Sequence, residues 1–131
     1  MKLIRFLSKE NQEMCGIYNP EHQDQAQIIR GDIFGNFEVT QKMEKIYSVL
    51  PPVYPCNILA LGLNYRKHAD ETSVSYPELP VLFIKTTTSV IGHMSPIILP
   101  FAGPDNVDYE AELAVIIGRK VKNVRPSEAM D

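Results

Sequence analysis

At 131 residues the chain is long enough for one ordinary domain, or for a small domain and part of another. Apolar residues make up 44% and charged residues 22%, with a net charge of -3, a balance that suits a soluble globular protein and lacks the basic stripe of a duplex binder. No apolar run approaches the roughly 18–20 residues of a membrane helix, and the start MKLIRFLSKENQ holds too short an apolar stretch for a signal peptide. Neither Cys15 nor Cys56 sits in a metal-ligand or CxxC spacing, so a reduced, cytoplasmic setting is expected.

In chain order, residues 1–50 carry short β signals. Leu3, Ile4, Phe6 and Leu7 form one strand-like run, and Met14–Tyr18 a second after the polar turn Lys9–Glu13. Asn19–Gln25 is polar and contains Pro20, which predicts a loop. Ile28–Ile29, Ile33–Phe34 and Phe37–Val39 are broken by Gly31 and Gly35, as in a hairpin or meander. Gln41–Leu50 places Met43, Ile46, Tyr47 and Leu50 at helical spacing and predicts a short helix. Pro51, Pro52 and Pro55 can continue neither a helix nor a central strand. A boundary is expected there, between a small N-terminal β domain at 1–50 and a second unit at 51–131.

Beyond the prolines, Asn57–Leu63 predicts a buried strand closed by Gly62 and Asn64, with Cys56 before it as a small buried apolar residue. Tyr65–Glu71 predicts a short helix, and Val81–Ile84, Ile97–Leu99 and Asp108–Ile117 predict strands. Arg119, Lys120 and Lys122 read as a solvated strand end. Pro126–Asp131 reads as the start of a helix with no cap at its far end.

Three groups of residues invite a chemical reading. In a strand, Asp108, Glu110 and Glu112 share one face. Like charges that close need a cation if buried, and oxygen ligands suit Mg²⁺, Mn²⁺ or Ca²⁺; taken alone, the plainer reading is an acidic strand end in water. His68 and Glu71 lie at i, i+3, where a carboxylate can orient a histidine as a general base, although an exposed polar helix has the same spacing. Lys85 ends a strand, where a lysine can meet an anionic substrate and more often reaches solvent. His22 and His93 lie in polar turns and read as solvated.

The order of these pieces carries more than any one of them. Pro55-Cys-Asn-Ile-Leu-Ala-Leu-Gly-Leu-Asn-Tyr-Arg-Lys-His68-Ala-Asp-Glu71 is followed by Pro80-Val-Leu-Phe-Ile-Lys85, by Pro96-Ile-Ile-Leu-Pro100 and by Glu110-Ala-Glu112-Leu-Ala-Val-Ile-Ile-Gly118. Residues 50–131 so arranged resemble the fumarylacetoacetate hydrolase family. The resemblance implies a mostly β (α+β) fold: the first part of a mixed, roll-like β catalytic domain, preceded by the small N-terminal β domain. It implies that Glu110 and Glu112 bind metal, that His68 and Glu71 position and deprotonate water, and that Lys85 lines the pocket, with Asp108 standing behind the ligands.

The activity implied is metal-dependent hydrolysis of a C–C bond in an acylpyruvate-like 2,4-dioxo acid, supported by Mg²⁺, Mn²⁺ or Ca²⁺. Isomerases, hydratases and decarboxylases of 2-oxo acids share the same constellation. The expected partners are a small 2-oxo or 2,4-dioxo acid and, at full length, a second copy in a homodimer, with no nucleic acid and no membrane. The resemblance also implies a third metal carboxylate, an aspartate, roughly ten residues beyond Asp131 by the family's typical spacing, and three carboxylates plus waters is the count an octahedral ion wants. By that reading the 131 residues alone are an inactive fragment.

Overall fold

The structure is a computed structural model and describes residues 1–130. Its first half is organised by alternation. In β1 (Leu3–Leu7), Ile4 and Phe6 turn to one side, and Phe6 is wholly buried. β1 pairs antiparallel with β2 (Glu13–Tyr18), from Leu3 opposite Ile17 to Leu7 opposite Glu13. The turn between them closes on Ser8, whose hydroxyl accepts from the backbone N–H of Glu10 and Gln12. β2 pairs with β3 (Gln25–Gly31), and β3 forms a hairpin with β4 (Phe37–Lys45) around a turn in which Asp32 accepts from the Phe34 N–H. β5 (Ser48–Leu50) returns to the free edge of β1, giving a five-stranded antiparallel sheet in the order β4-β3-β2-β1-β5.

Phe6, Ala26 and Ile28 form the buried cluster of this sheet, with Ile4, Met14 and Ile46 packed on it. Gly16 is required there. A Cβ at that position would lie 2.9 Å from both the Ala26 Cβ and the Gln27 carbonyl, and 3.3 Å from the Phe6 ring.

The helix expected over Gln41–Leu50 is not formed. Residues 41–45 finish β4, Ser48–Leu50 make up β5 and Ile46 and Tyr47 link them, while Ile33–Phe34 falls in the hairpin turn. Met43 and Tyr47, expected on one face of that helix, are 41% and 75% exposed. Cross-strand pairing with β3 and β1 outweighs the helical spacing, and of the four residues Ile46 is the one packed on the buried cluster.

The proline segment is pinned to the sheet by side chains. The Arg5 guanidinium donates to the Pro51 carbonyl at 2.9 Å and to Glu13 at 3.0 Å, and lies 3.9 Å from the centre of the Tyr54 ring. The Tyr54 hydroxyl donates to Glu13 at 2.6 Å. That hydrogen bond, then the one from Arg5, holds the Glu13 carboxyl below its ordinary range.

β6 (Ile58–Gly62) and β7 (Val81–Lys85) then form a two-stranded antiparallel ladder in which Ile58 faces Lys85 and Gly62 faces Val81. Between them lies the helix α1 (Arg66–Glu71), whose Ala69 is wholly buried. Cys56, expected to be buried, is exposed: it lies two residues before β6 begins, between the partly buried Pro55 and the exposed Asn57.

From residue 86 onward the described chain contains 3-10 turns at Thr87–Ser89, Pro104–Asn106 and Pro126–Glu128, but no strand. The strands expected at Ile97–Leu99 and Asp108–Ile117 are therefore absent. Their apolar side chains stand open, Ile98 and Leu113 each at 83% exposure. An apolar run becomes a strand only when another backbone takes up its N–H and C=O groups, and none does so among the described residues. At Pro126 the helical start is one 3-10 turn, closed by Glu128 reaching back to the Arg125 N–H and guanidinium. Asp131 lies outside the described residues. The fold is mostly β with antiparallel pairing, as the sequence led us to expect. No helix among the described residues is long and apolar enough to cross a membrane.

Candidate active site

An open cleft of about 470 Å³ lies where β6 gives way to α1. β6 delivers Leu61 and Gly62 to its floor, and Phe83 from β7 stands beside them. The chain then turns sharply into α1. The left-handed residue in that turn is Leu63, at φ 52°, and neither Gly62 nor Asn64, which flank it. α1 presents Lys67, His68 and Glu71 along one wall. The segment Tyr109–Glu112 forms the opposite wall.

Four of the residues singled out from sequence thus meet in one place: His68, Glu71, Glu110 and Glu112. His68 Nε2 stands 3.8 Å from Glu110 Oε1, with the two side chains 46% and 59% exposed. That is close enough for electrostatic contact and too long for a hydrogen bond. No hydrogen bond joins His68 to Glu71 among the described residues, although both line the cleft. Asp108 is outside the lining, and its carboxylate accepts from the next backbone N–H, that of Tyr109, at 3.2 Å.

Lys85 is also outside. Register explains this: Lys85 pairs with Ile58, at the end of β6 remote from Gly62 and α1, and its ammonium rests 5.6 Å from the centre of the Phe83 ring. The cationic side chain that does line the cleft is Lys67. His22 and His93 are exposed in turns, as expected. Sequence reasoning gave no role to Tyr65, Lys67 or Tyr109. Tyr65 and Lys67 lie inside the same Asn64–Glu71 stretch that drew attention to His68, and Tyr109 lies between two of the carboxylates.

A family model described as fumarylacetoacetate (FAA) hydrolase C-terminal matches residues 57–131, more than half of the chain and all of the cleft. The chain belongs to the fumarylacetoacetate hydrolase family. An uncharacterized protein of Archaeoglobus fulgidus is 46% identical over 99 residues, which cover 76% of this chain and 38% of that protein. A mitochondrial oxaloacetate tautomerase of Xenopus laevis is 41% identical over 85 residues, covering 64% of this chain and 26% of that protein. Among solved structures, an uncharacterized protein of Mycobacterium abscessus superposes with a TM-score of 0.60 at 32% identity, over 78% of this chain and 40% of that one. The chain therefore spans about a quarter to two-fifths of the length of these relatives.

Whether the cleft suits the divalent cation implied by the resemblance turns on its donors. Glu71, Glu110 and Glu112 against Lys67 leave it acidic, and carboxylate oxygens are the ligands a hard ion takes. Glu110 and Glu112 fit such an ion in kind, as part of a ligand set. Among the described residues no three His, Cys, Asp or Glu side chains converge closely enough to hold one by themselves.

Proposed function

We propose that this cleft is one wall of an active site that acts on small 2-oxo acids through their enol form, and that its reaction is the keto–enol tautomerisation of an oxaloacetate-like acid. The observation that carries the reading is the placement of His68 Nε2 3.8 Å from Glu110 Oε1, across a cleft that Glu112 also lines. A base beside a pair of carboxylates is what moving a proton next to a carbonyl calls for. The similarity to an oxaloacetate tautomerase supports tautomerisation over other enol chemistry in the family.

In this reading Glu110 and Glu112 hold Mg²⁺, Mn²⁺ or Ca²⁺, which when bound supplies positive charge to the carboxylate and keto oxygens of the acid. Lys67 adds charge that draws the anion in. Towards the enol, His68 Nε2 takes a proton from the carbon beside the keto group while the keto oxygen gains one from water in the open cleft. Towards the keto form, His68 returns a proton to that carbon while the enol hydroxyl gives its own up to water, so the two forms exchange with no net gain or loss of atoms.

A second reading, hydrolytic cleavage of an acylpyruvate, is favoured by one observation. Glu71 lines the cleft one turn from His68, in an opening wide enough for water. There His68 would take a proton from water as it attacks the distal carbonyl, and the enolate released would be protonated to the 2-oxo acid.

The full-length protein decides between them. With Mg²⁺ or Mn²⁺ it should accelerate loss of the ultraviolet absorbance of enol-oxaloacetate without consuming oxaloacetate. Release of pyruvate from acetylpyruvate would select the hydrolase reading. Activity on neither compound, with or without a divalent ion, would overturn both.

A further inference from the structure

The segment that bears Glu110 and Glu112 is held in an unusual way for an acidic wall. It joins no sheet, and its described hydrogen bonds are two. One is local, from the Tyr109 N–H to Asp108. The other reaches 48 residues back along the chain: the phenolic oxygen of Tyr65 accepts from the Leu113 N–H at 3.0 Å.

Tyr65 is well placed for this. It is the residue that precedes α1, in an extended conformation (φ -111°, ψ 124°), and its side chain makes no hydrogen bond to the helix it introduces. It lies three residues before His68 in sequence and lines the same cleft. Leu113 directly follows Glu112. A single hydroxyl therefore joins the backbone next to one carboxylate to the helix that carries the base. Among the described residues no other hydrogen bond ties these two walls together.

We propose that Tyr65 is a positioning residue of this site, whose hydroxyl sets the spacing between the His68 helix and the Glu110–Glu112 wall by anchoring the Leu113 amide. The proposal rests on the functional reading above, because the spacing matters only if the two walls work on one bound ion and substrate. Freed of this bond, the acidic segment would sample many separations from α1. Binding an ion with both carboxylates would then carry the entropy of ordering them.

The test uses the full-length protein. In the wild type, the Leu113 amide should exchange with deuterium more slowly than those of Ala111 and Val115, which have no described partner. Tyr65→Phe keeps the ring and removes only the acceptor. It should abolish that difference, weaken Mn²⁺ binding by about two- to tenfold, the worth of one ordinary hydrogen bond, and lower kcat more than it changes KM. Its melting temperature should stay within about 3 °C of the parent, since the bond is exposed.

Equal exchange at Leu113 and Ala111 in the wild type would overturn the proposal without any variant. So would a Tyr65→Phe protein with parental Mn²⁺ affinity. Glu112→Gln separates the two layers of argument. If that variant keeps full Mn²⁺ affinity, the metal-site reading fails and the role of Tyr65 fails with it. If Glu112→Gln loses binding while Tyr65→Phe does not, only the role of Tyr65 is lost.

Discussion

Replacing His68 with glutamine should separate chemistry from everything else this side chain touches. The side chain is 46% exposed, and the Glu110 carboxylate is 3.8 Å away, beyond hydrogen-bond reach. Removing the imidazole strands no buried polar group and opens no cavity, so stability should change by no more than about 0.5 kcal/mol. The contact with Glu110 is between half-exposed groups, worth at most about 1 kcal/mol, so Mn²⁺ affinity should shift by no more than about fivefold. Loss of a general base, by contrast, costs about 10²–10⁴ in turnover, or roughly 3–5 kcal/mol of barrier. The assay is the decay of enol-oxaloacetate absorbance at saturating Mn²⁺, with calorimetric titration of Mn²⁺ and urea denaturation on the same preparations. Turnover within about threefold of the parent would place the base elsewhere. A hundredfold loss of Mn²⁺ affinity would make His68 a ligand and refute its role as the proton carrier.

Gly16→Ala should destabilise the five-stranded sheet by about 1–3 kcal/mol in urea denaturation, because the new Cβ meets a backbone carbonyl and a buried alanine that cannot swing away; a loss under about 0.5 kcal/mol would refute this. Tyr54→Phe should lower stability most at neutral pH. Glu13, held below its ordinary value by Tyr54 and then Arg5, contributes stability that is full above about pH 5 and is lost as pH falls through its folded value, so the gap between parent and variant should narrow on acidification; a gap independent of pH would overturn the clasp. Cys56, which is exposed, should be alkylated well before Cys15, whose thiol is half-buried and pushed up by burial, and peptide mass spectrometry showing equal rates would contradict this.

The elements that could be read from sequence are those whose cause is local. The strand-like run in Leu3–Leu7, the glycine-punctuated hairpin after Ile28, the short helix following Asn64 and the run Val81–Ile84 all appear where the pattern puts them. The misreadings share a different cause. Met43, Ile46, Tyr47 and Leu50 have helical spacing, but β3 and β1 offer hydrogen-bonding edges to the same residues, and that offer is invisible within a window around residue 45. The segments Ile97–Leu99 and Asp108–Ile117 have strand-like sequences and no strand partner among the described residues. A strand is a property of two segments, and the composition of one cannot supply the other.

The same distinction governs the cleft. His68 and Glu71 lie on one helix, so their common wall follows from spacing alone. Glu110 and Glu112 reach the opposite wall without forming a strand, and only the tertiary arrangement brings them to the cleft that His68 lines. Lys85 shows the converse. It shares a face of β7 with Phe83, which lines the cleft, yet it stands opposite Ile58 rather than Gly62 and so misses α1 by the length of the ladder. A pattern of residue types can name the groups that do chemistry; register and cross-chain hydrogen bonds decide which of them arrive. In this chain the Leu113 amide, held by Tyr65, is the point where that decision rests on one bond, and the working distance between base and carboxylates should be most sensitive there.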